Sequence, residues 1–289
     1  MHKIIAIGES VLDTIYDADN RPVRAFVGGR IANAAAILAK SGEEVSMVSE
    51  CCTDHVGDII VKFLADNGVN TKSVDRYTDG ATAISMIFEN GHEVRRINYD
   101  SYSNDRFDVV WPRIDENDVL LFGSFYSIDN NVRNRLFEMV TYAAERKAII
   151  VYLPGCQHGI NCRITKVMPA ILENLEIADV VIATGDDIEA IFPGEDADKT
   201  FKNHIEFYGP LFLYIGKDYS VTAYSRGNKL TVKAKQAYSG DSLGWQSRFT
   251  ACIIKEMSRR GITKKSLPSG SQEQWHDIIG TAIDAACNA

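Results

Sequence analysis

Gly28-Gly29-Arg30-Ile31-Ala32-Asn33-Ala34-Ala35 opens an Ala-rich run that continues Ala36-Ile37-Leu38-Ala39-Lys40-Ser41 and stops at Gly42. Alanine and leucine are strong helix formers, and a glycine commonly ends a helix, so the run predicts a helix closed by Gly42. Paired glycines before a helix let a ligand approach backbone N–H groups that lack intrahelical partners. Asn33 is one of few polar residues in the first turns. A tight turn with an incidental Asn accounts for the same residues, so the flanking chain must decide.

Upstream, residues 3–7 form a short apolar strand ending at Gly8, Asp13 follows, and 21–27 reads as an exposed strand. Downstream, 44–49 is a strand and Asp54-His55-Val56-Gly57 opens a helix over 58–67, capped by Gly68. Residues 72–76, 82–89 and 93–99 read as strands, the last two joined at Asn90-Gly91. Their polar faces predict an antiparallel flap rather than a buried parallel sheet. Apolar strands at 119–122, 148–152, 180–183 and 211–215 then alternate with helices at 132–146 and 165–174 and a helical turn opened by Asp186-Asp187-Ile188-Glu189. A hairpin over 221–225 and 229–233 precedes two closing helices, one towards Met257 and one over 272–286. This alternation predicts a parallel sheet covered on both faces, with ligands at the C-terminal strand ends. The polar loops at 8–13, 123–124, 153–157, 186–189, 216–218 and 239–241 all fall there. In the last, Ser239-Gly240-Asp241-Ser242, N–H groups at a helix start could hold an anion, and an Asp could take a proton from a neighbouring hydroxyl. A capped helix start is the plainer alternative.

The 289 residues suffice for one large α/β domain or two small ones, and 45% hydrophobic with 24% charged residues is ordinary for a soluble chain. A net charge of −8 disfavours nucleic acid as a partner. No apolar run reaches the roughly 18 residues of a membrane span, and the N-terminus reads as a strand, not a signal peptide. The six cysteines form no CxxC pair and are expected as thiols of a cytoplasmic protein. Cys156-Gln157-His158 with Cys162 matches no common zinc spacing. Trp245, Phe249 and Ile253, at helical spacing, are expected in the core, His92 in a solvent-exposed hairpin, and the Arg95-Arg96 pair on a solvated strand face, with contact of one of the two to substrate or phosphate as the alternative.

The pattern resembles the ribokinase-like (PfkB) family of carbohydrate and nucleoside kinases. Gly28 to Ala35 matches the family's GG-x-x-AN-x-A signature, and Asp54-His55-Val56-Gly57 its D-x-x-G. Gly8-Glu9 with Asp13 looks like its first strand and substrate-contacting Asp, and Ser239-Gly240-Asp241-Ser242 like the end of its GAGD motif. The resemblance implies a single domain over 1–289, a three-layer α/β fold with a mostly parallel central sheet, and a small β-lid from segments near 14–26 and 82–105. It implies transfer of the ATP γ-phosphoryl group to a sugar or polyol hydroxyl. Asp241 would be the general base, and the backbone of Ser239, Gly240 and Asp241 the anion hole. Asp13, Gly28, Gly29 and Asn33 would hold the sugar. Asp186, Glu189 and Gly216 would face the nucleotide, with Glu189 acting on Mg2+ through water; a monovalent cation is a further candidate cofactor. A sugar-like small molecule is the expected partner, with neither nucleic acid nor membrane, and the lid offers a surface for a homodimer. The chain departs from the family at Tyr238, where a glycine is expected, at Leu153-Pro154-Gly155, at Asp186 in place of Asn, and at Tyr214-Ile215-Gly216. An alternative alignment puts Leu243 at the catalytic position; keeping Gly-Asp-Ser as a unit puts Asp241 there. A family member that binds a small ligand without efficient catalysis is the alternative function.

Overall fold

The computed structural model describes residues 2–90, 93–102, 106–156, 164–235, 238, 240 and 242–288, with only the backbone at 89, 90, 93–95, 242 and 243. The elements run β1 (Ile4–Ile7), β2 (Val11–Tyr16), β3 (Pro22–Gly28), α1 (Arg30–Lys40), β4 (Val45–Cys52), α2 (His55–Asp66), β5 (Asn70–Tyr77), β6 (Ala81–Asn90) and β7 (Glu93–Ser101). They continue β8 (Val119–Gly123), α3 (Arg133–Glu145), β9 (Ile149–Leu153), α4 (Ile164–Ile177), β10 (Val180–Thr184), α5 (Gly185–Ile191), α6 (Ala197–Thr200), β11 (Leu211–Ile215), β12 (Val221–Ser225), β13 (Asn228–Val232), α7 (Ser242–Arg259) and α8 (Gln272–Cys287).

Nine strands form one sheet in the order β13-β12-β11-β10-β9-β8-β1-β4-β5. Pairing is parallel from β5 to β11 and antiparallel for β12 and β13. Successive side chains of a strand point to opposite faces. Ile4 and Ala6 therefore join a core with Ile31, Leu38, Trp245, Phe249 and Ile279, while Ile5 and Ile7 join a second core with Leu136, Met139 and Ile171. The three layers follow: α1, α2, α7 and α8 on one face, α3, α4 and α5 on the other. All four residues of β1 are at most 1% exposed. Burying each of its three isoleucines contributes about 1.5–3 kcal/mol, enough to offset the roughly 1–2 kcal/mol of backbone ordering per residue. Trp245, Phe249 and Ile253 are fully buried, as their spacing predicts.

A second sheet, β3-β2-β6-β7, shares a cavity with residues just past the C-terminal ends of β1, β8 and β9. Three expectations change here. Residues 72–76 do not belong to this flap; as β5 they pair parallel with β4 at the edge of the large sheet. An edge strand shows one side to solvent, so its polar residues mimic those of a flap. Nor is the flap wholly antiparallel, because β6 runs parallel to β2. The stretch read as a loop around Asp13 is strand β2, whose alternation Val11-Leu12-Asp13-Thr14 is broken by an inward carboxylate. No helix among the described residues is long and apolar enough to cross a membrane.

Candidate active site

Asp13 lies on β2 opposite Phe26 of β3 and Ser85 of β6. Its side chain is buried, and Gly28 makes room for it: a Cβ at Gly28 would stand 2.1 Å from Asp13 Oδ2. Arg96 Nη2 donates to that oxygen at 3.0 Å. Oδ1 is buried without a hydrogen-bond partner among the described residues, as is the neighbouring Ser85 Oγ. Burial pushes the Asp13 carboxyl above its ordinary range; Arg96 and the neighbouring Ser85 hydroxyl, close but outside hydrogen-bond geometry, oppose the shift. A buried acceptor left open is costly unless a ligand donor reaches it.

Gly29 caps α1 with φ 97°, in the region that favours glycine. One turn on, Asn33 Nδ2 donates to Gly29 O (3.0 Å) and Val27 O (3.2 Å), which leaves its Oδ1 as an acceptor. Asp13, Gly29 and Asn33 line a cavity of about 450 Å3 together with Gly244, Ser247 and Arg248 of α7. Glu9, Ser124 and Gly155, just past the ends of β1, β8 and β9, complete it. Ser124 Oγ donates to Glu9 Oε2. Burial raises the Glu9 carboxyl; the Ser124 hydroxyl and the charges of Arg30 and Arg96 oppose the rise. Ser124 holds φ 54° and ψ −170°, a backbone state that costs a non-glycine residue about 1–3 kcal/mol and recurs at ligand sites.

A second chamber of about 360 Å3 shares Glu9, Arg96, Ser124 and Gly155 with the first. Its wall carries Arg106, which donates to Glu50 and, at 2.9 Å, to Asp129. Tyr77 Oη also donates to Glu50, at 2.9 Å. A wider depression of about 620 Å3 lies over α3 and contains none of the motif residues.

The expected nucleotide side is a separate group of strand ends. Thr184 caps α5: its Oγ1 accepts the Asp187 N–H at 3.1 Å, and Asp187 Oδ2 accepts the Thr184 N–H at 2.9 Å. Asp187 is fully buried and 3.6 Å from Arg30 Nη1. Asp186 and Glu189 are exposed, and Glu189 Oε2 accepts the Gly194 N–H at 3.2 Å. Gly216 follows β11 and donates its N–H to Ser220 O at 2.8 Å. Burial, then Asp186, Asp196 and Asp218, push the nearby Tyr214 phenol up. Among the described residues no three His, Cys, Asp or Glu side chains could jointly hold a metal ion.

Of the expected anion-hole turn, Ser239 and Asp241 lie outside the described residues, as do His92, His158 and Cys162. Gly240 is exposed, and a Cβ there would be 2.5 Å from Tyr238 Oη. The Tyr238 ring meets Tyr219 edge-on at 5.0 Å, and its hydroxyl accepts from Arg248 Nη2 at 2.7 Å.

Several site residues have no role in the reading of the sequence, or a role only as an alternative. Arg96 is turned inward onto Asp13 rather than out to solvent, and its partner is 83 residues away in the chain. Arg30 fills a variable position of the Gly28–Ala35 signature and Ser124 one of the polar strand-end loops, but neither they nor Arg248 carried an assigned role. The spacing Thr184-x-x-Asp187 did carry a signal: it is that of a capping box, which separates the structural Asp187 from the exposed Asp186.

The family model for pfkB family carbohydrate kinases matches residues 1–206. The chain is 24% identical over 245 residues to the 5-dehydro-2-deoxygluconokinase of Geobacillus kaustophilus, covering 77% of this chain and 71% of that protein. It is 29% identical over 106 residues to Bacillus subtilis ribokinase, covering 32% of this chain and 36% of the relative. A match to a Pyrococcus horikoshii protein likewise spans only 62% of that relative's length. Among solved structures, the fructokinase of Vibrio cholerae O395, bound to fructose, ADP and calcium ion, superposes with a TM-score of 0.83 at 15% identity, over 99% of this chain and 92% of that one. The fold is therefore the three-layer ribokinase-like one.

Proposed function

Because this chain belongs to the pfkB carbohydrate kinase family, we propose that it transfers the γ-phosphoryl group of ATP to a hydroxyl of a sugar or related polyol. One observation carries the reading: Asp13, Gly29 and Asn33 line the same cavity as Gly244, Ser247 and Arg248, which come three to seven residues after Asp241 in the chain. The open acceptors Asp13 Oδ1 and Asn33 Oδ1 suit sugar hydroxyls, whose protons they would accept. They would hold the acceptor so that one further hydroxyl meets Asp241. Asp241 takes that proton as the new O–P bond forms and the bond from Pγ to the ADP oxygen breaks. The N–H groups of Ser239, Gly240 and Asp241 stabilise the charge that develops. Mg2+, when bound, would neutralise phosphate charge, with Glu189 acting on it through water and Asp186 facing the nucleotide. The second sheet, with Arg96 on β7, covers the acceptor as a lid and excludes water. The whole chain over 1–289 acts as one kinase domain.

The position of Tyr238 favours a second reading, ligand binding without turnover, because its ring lies against Gly240 where the γ-phosphate would need room. Calorimetry with ATP, with and without Mg2+, separates the two. The kinase reading expects binding at or below millimolar ATP, and its absence would leave only the binding protein. Asp241→Asn is expected to lower turnover by about 10²–10⁴, the usual worth of a general base. An unchanged rate removes Asp241 from that role.

A further inference from the structure

Four guanidinium groups, those of Arg24, Arg30, Arg96 and Arg248, line the acceptor cavity against two carboxylates, Glu9 and Asp13, in a chain whose net charge is −8. Two of the four are neutralised locally: Arg96 pairs with Asp13 at 3.0 Å, and Arg30 lies 3.6 Å from the buried Asp187. The other two have no carboxylate within ion-pair distance among the described residues. Arg24 rests over the Phe26 ring, 4.8 Å from its centroid. Arg248 donates only to uncharged acceptors, Nε to Ala286 O at 3.0 Å and Nη2 to Tyr238 Oη at 2.7 Å. Arg248 comes from α7 and Arg24 from β3 of the second sheet, so the unpaired charges enter the cavity from two different layers. Fixed cations in a partly enclosed site raise the local concentration of anions, and the guanidinium fork matches carboxylate or phosphate oxygens.

Resting on the kinase reading for the identity of the cavity, we propose that the acceptor is an anionic polyol, a sugar carrying a carboxylate or a phosphate ester, whose charged group is held by Arg24 and Arg248. Its hydroxyls remain for Asp13 and Asn33, whose open oxygens suit donors and repel an anion.

The test is calorimetric binding, without nucleotide, of matched ligands in which one skeleton is neutral, an aldonate or a phosphate ester: glucose, gluconate and glucose 6-phosphate, then ribose, ribonate and ribose 5-phosphate. At least one anionic member should bind about tenfold or more tightly than its neutral parent, the usual worth of a charged hydrogen bond. The aldonate and phosphate arms tell which anion is taken. Arg24→Gln and Arg248→Gln should each reduce that preference while leaving the neutral parent's affinity in place. Arg24 sits on an exposed strand, so its variant keeps the test valid if Arg248→Gln disturbs the contact between α7 and α8. Neutral parents binding as tightly as the anions, equal losses for neutral and anionic ligands, or no binding by any anionic member at millimolar concentration would each overturn the proposal. Anion binding without phosphoryl transfer would leave it standing and sink the kinase reading. Phosphorylation of neutral sugars with no anion preference would do the reverse.

Discussion

At the scale of single residues, the site depends on what is missing as much as on what is present. Gly28 has no side chain because the Asp13 carboxylate occupies that space. Gly28→Ala places a methyl group 2.1 Å from Asp13 Oδ2 and must displace it. Acceptor KM should rise about tenfold or more, as expected for losing a charged hydrogen bond. Steady-state kinetics against the acceptor checks this, and a wild-type KM would show that Asp13 does not bind it. Glu9 offers a pH test. Its carboxyl is raised by burial, so the folded state resists its ionisation. Its favourable contribution is complete below the ordinary carboxylate range and is lost as pH rises through the elevated folded value. Glu9→Gln, which cannot ionise, should therefore melt close to wild type near about pH 4 and above it near about pH 8. Thermal unfolding at the two pH values reads the difference, and a gain confined to the acidic side would contradict the assignment.

At the scale of elements, one carboxylate joins three pieces of backbone. Asp54 Oδ1 accepts the Gly57 N–H at 2.7 Å and so caps α2. The same side chain accepts the Thr82 N–H at 2.8 Å and its hydroxyl at 2.7 Å, which fastens β6 of the second sheet. Thr82 Oγ1 in turn accepts the Cys52 N–H at 2.8 Å, at the end of β4. Burial alone would raise the Asp54 carboxyl, but the hydrogen bonds from Thr82 and Gly57 outweigh it and hold the group below its usual value. Loss of an N-cap costs about 0.5–2 kcal/mol, and the Thr82 link adds to it. Asp54→Ala should thus lower the melting temperature by several degrees. An unchanged midpoint would show that neither contact matters. The D-x-x-G pattern was legible because a cap acts over three residues. That its aspartate also holds β6, 28 residues away, was not.

At the scale of the whole molecule, the parallel sheet gathers strand ends from distant parts of the chain on one rim, and the second sheet stands over that rim. Glu9, Ser124 and Gly155 come from three neighbouring strands, and Asp13, Arg24 and Arg96 from the sheet above them. An acceptor bound between the two sheets should slow amide exchange in β2 and β3 as well as at the N-terminus of α1. Hydrogen exchange with and without saturating acceptor measures this. Protection confined to other elements would place the acceptor elsewhere.

The sequence by itself determined the alternation of strands and helices, the helix start at Gly28-Gly29, and the set of loops that meet at the strand ends. Periodicity, capping and turn chemistry act over a few residues, so a linear reading captures them. The tertiary structure decided the rest. It assigned β5 to the large sheet, turned Arg96 inward onto Asp13, buried Asp187 in a capping box, and left Arg24 and Arg248 without carboxylate partners among the described residues. Strand neighbours and charge pairs are settled by contacts between segments tens of residues apart, and burial sets their strength. No local pattern encodes which arginine finds an aspartate and which does not.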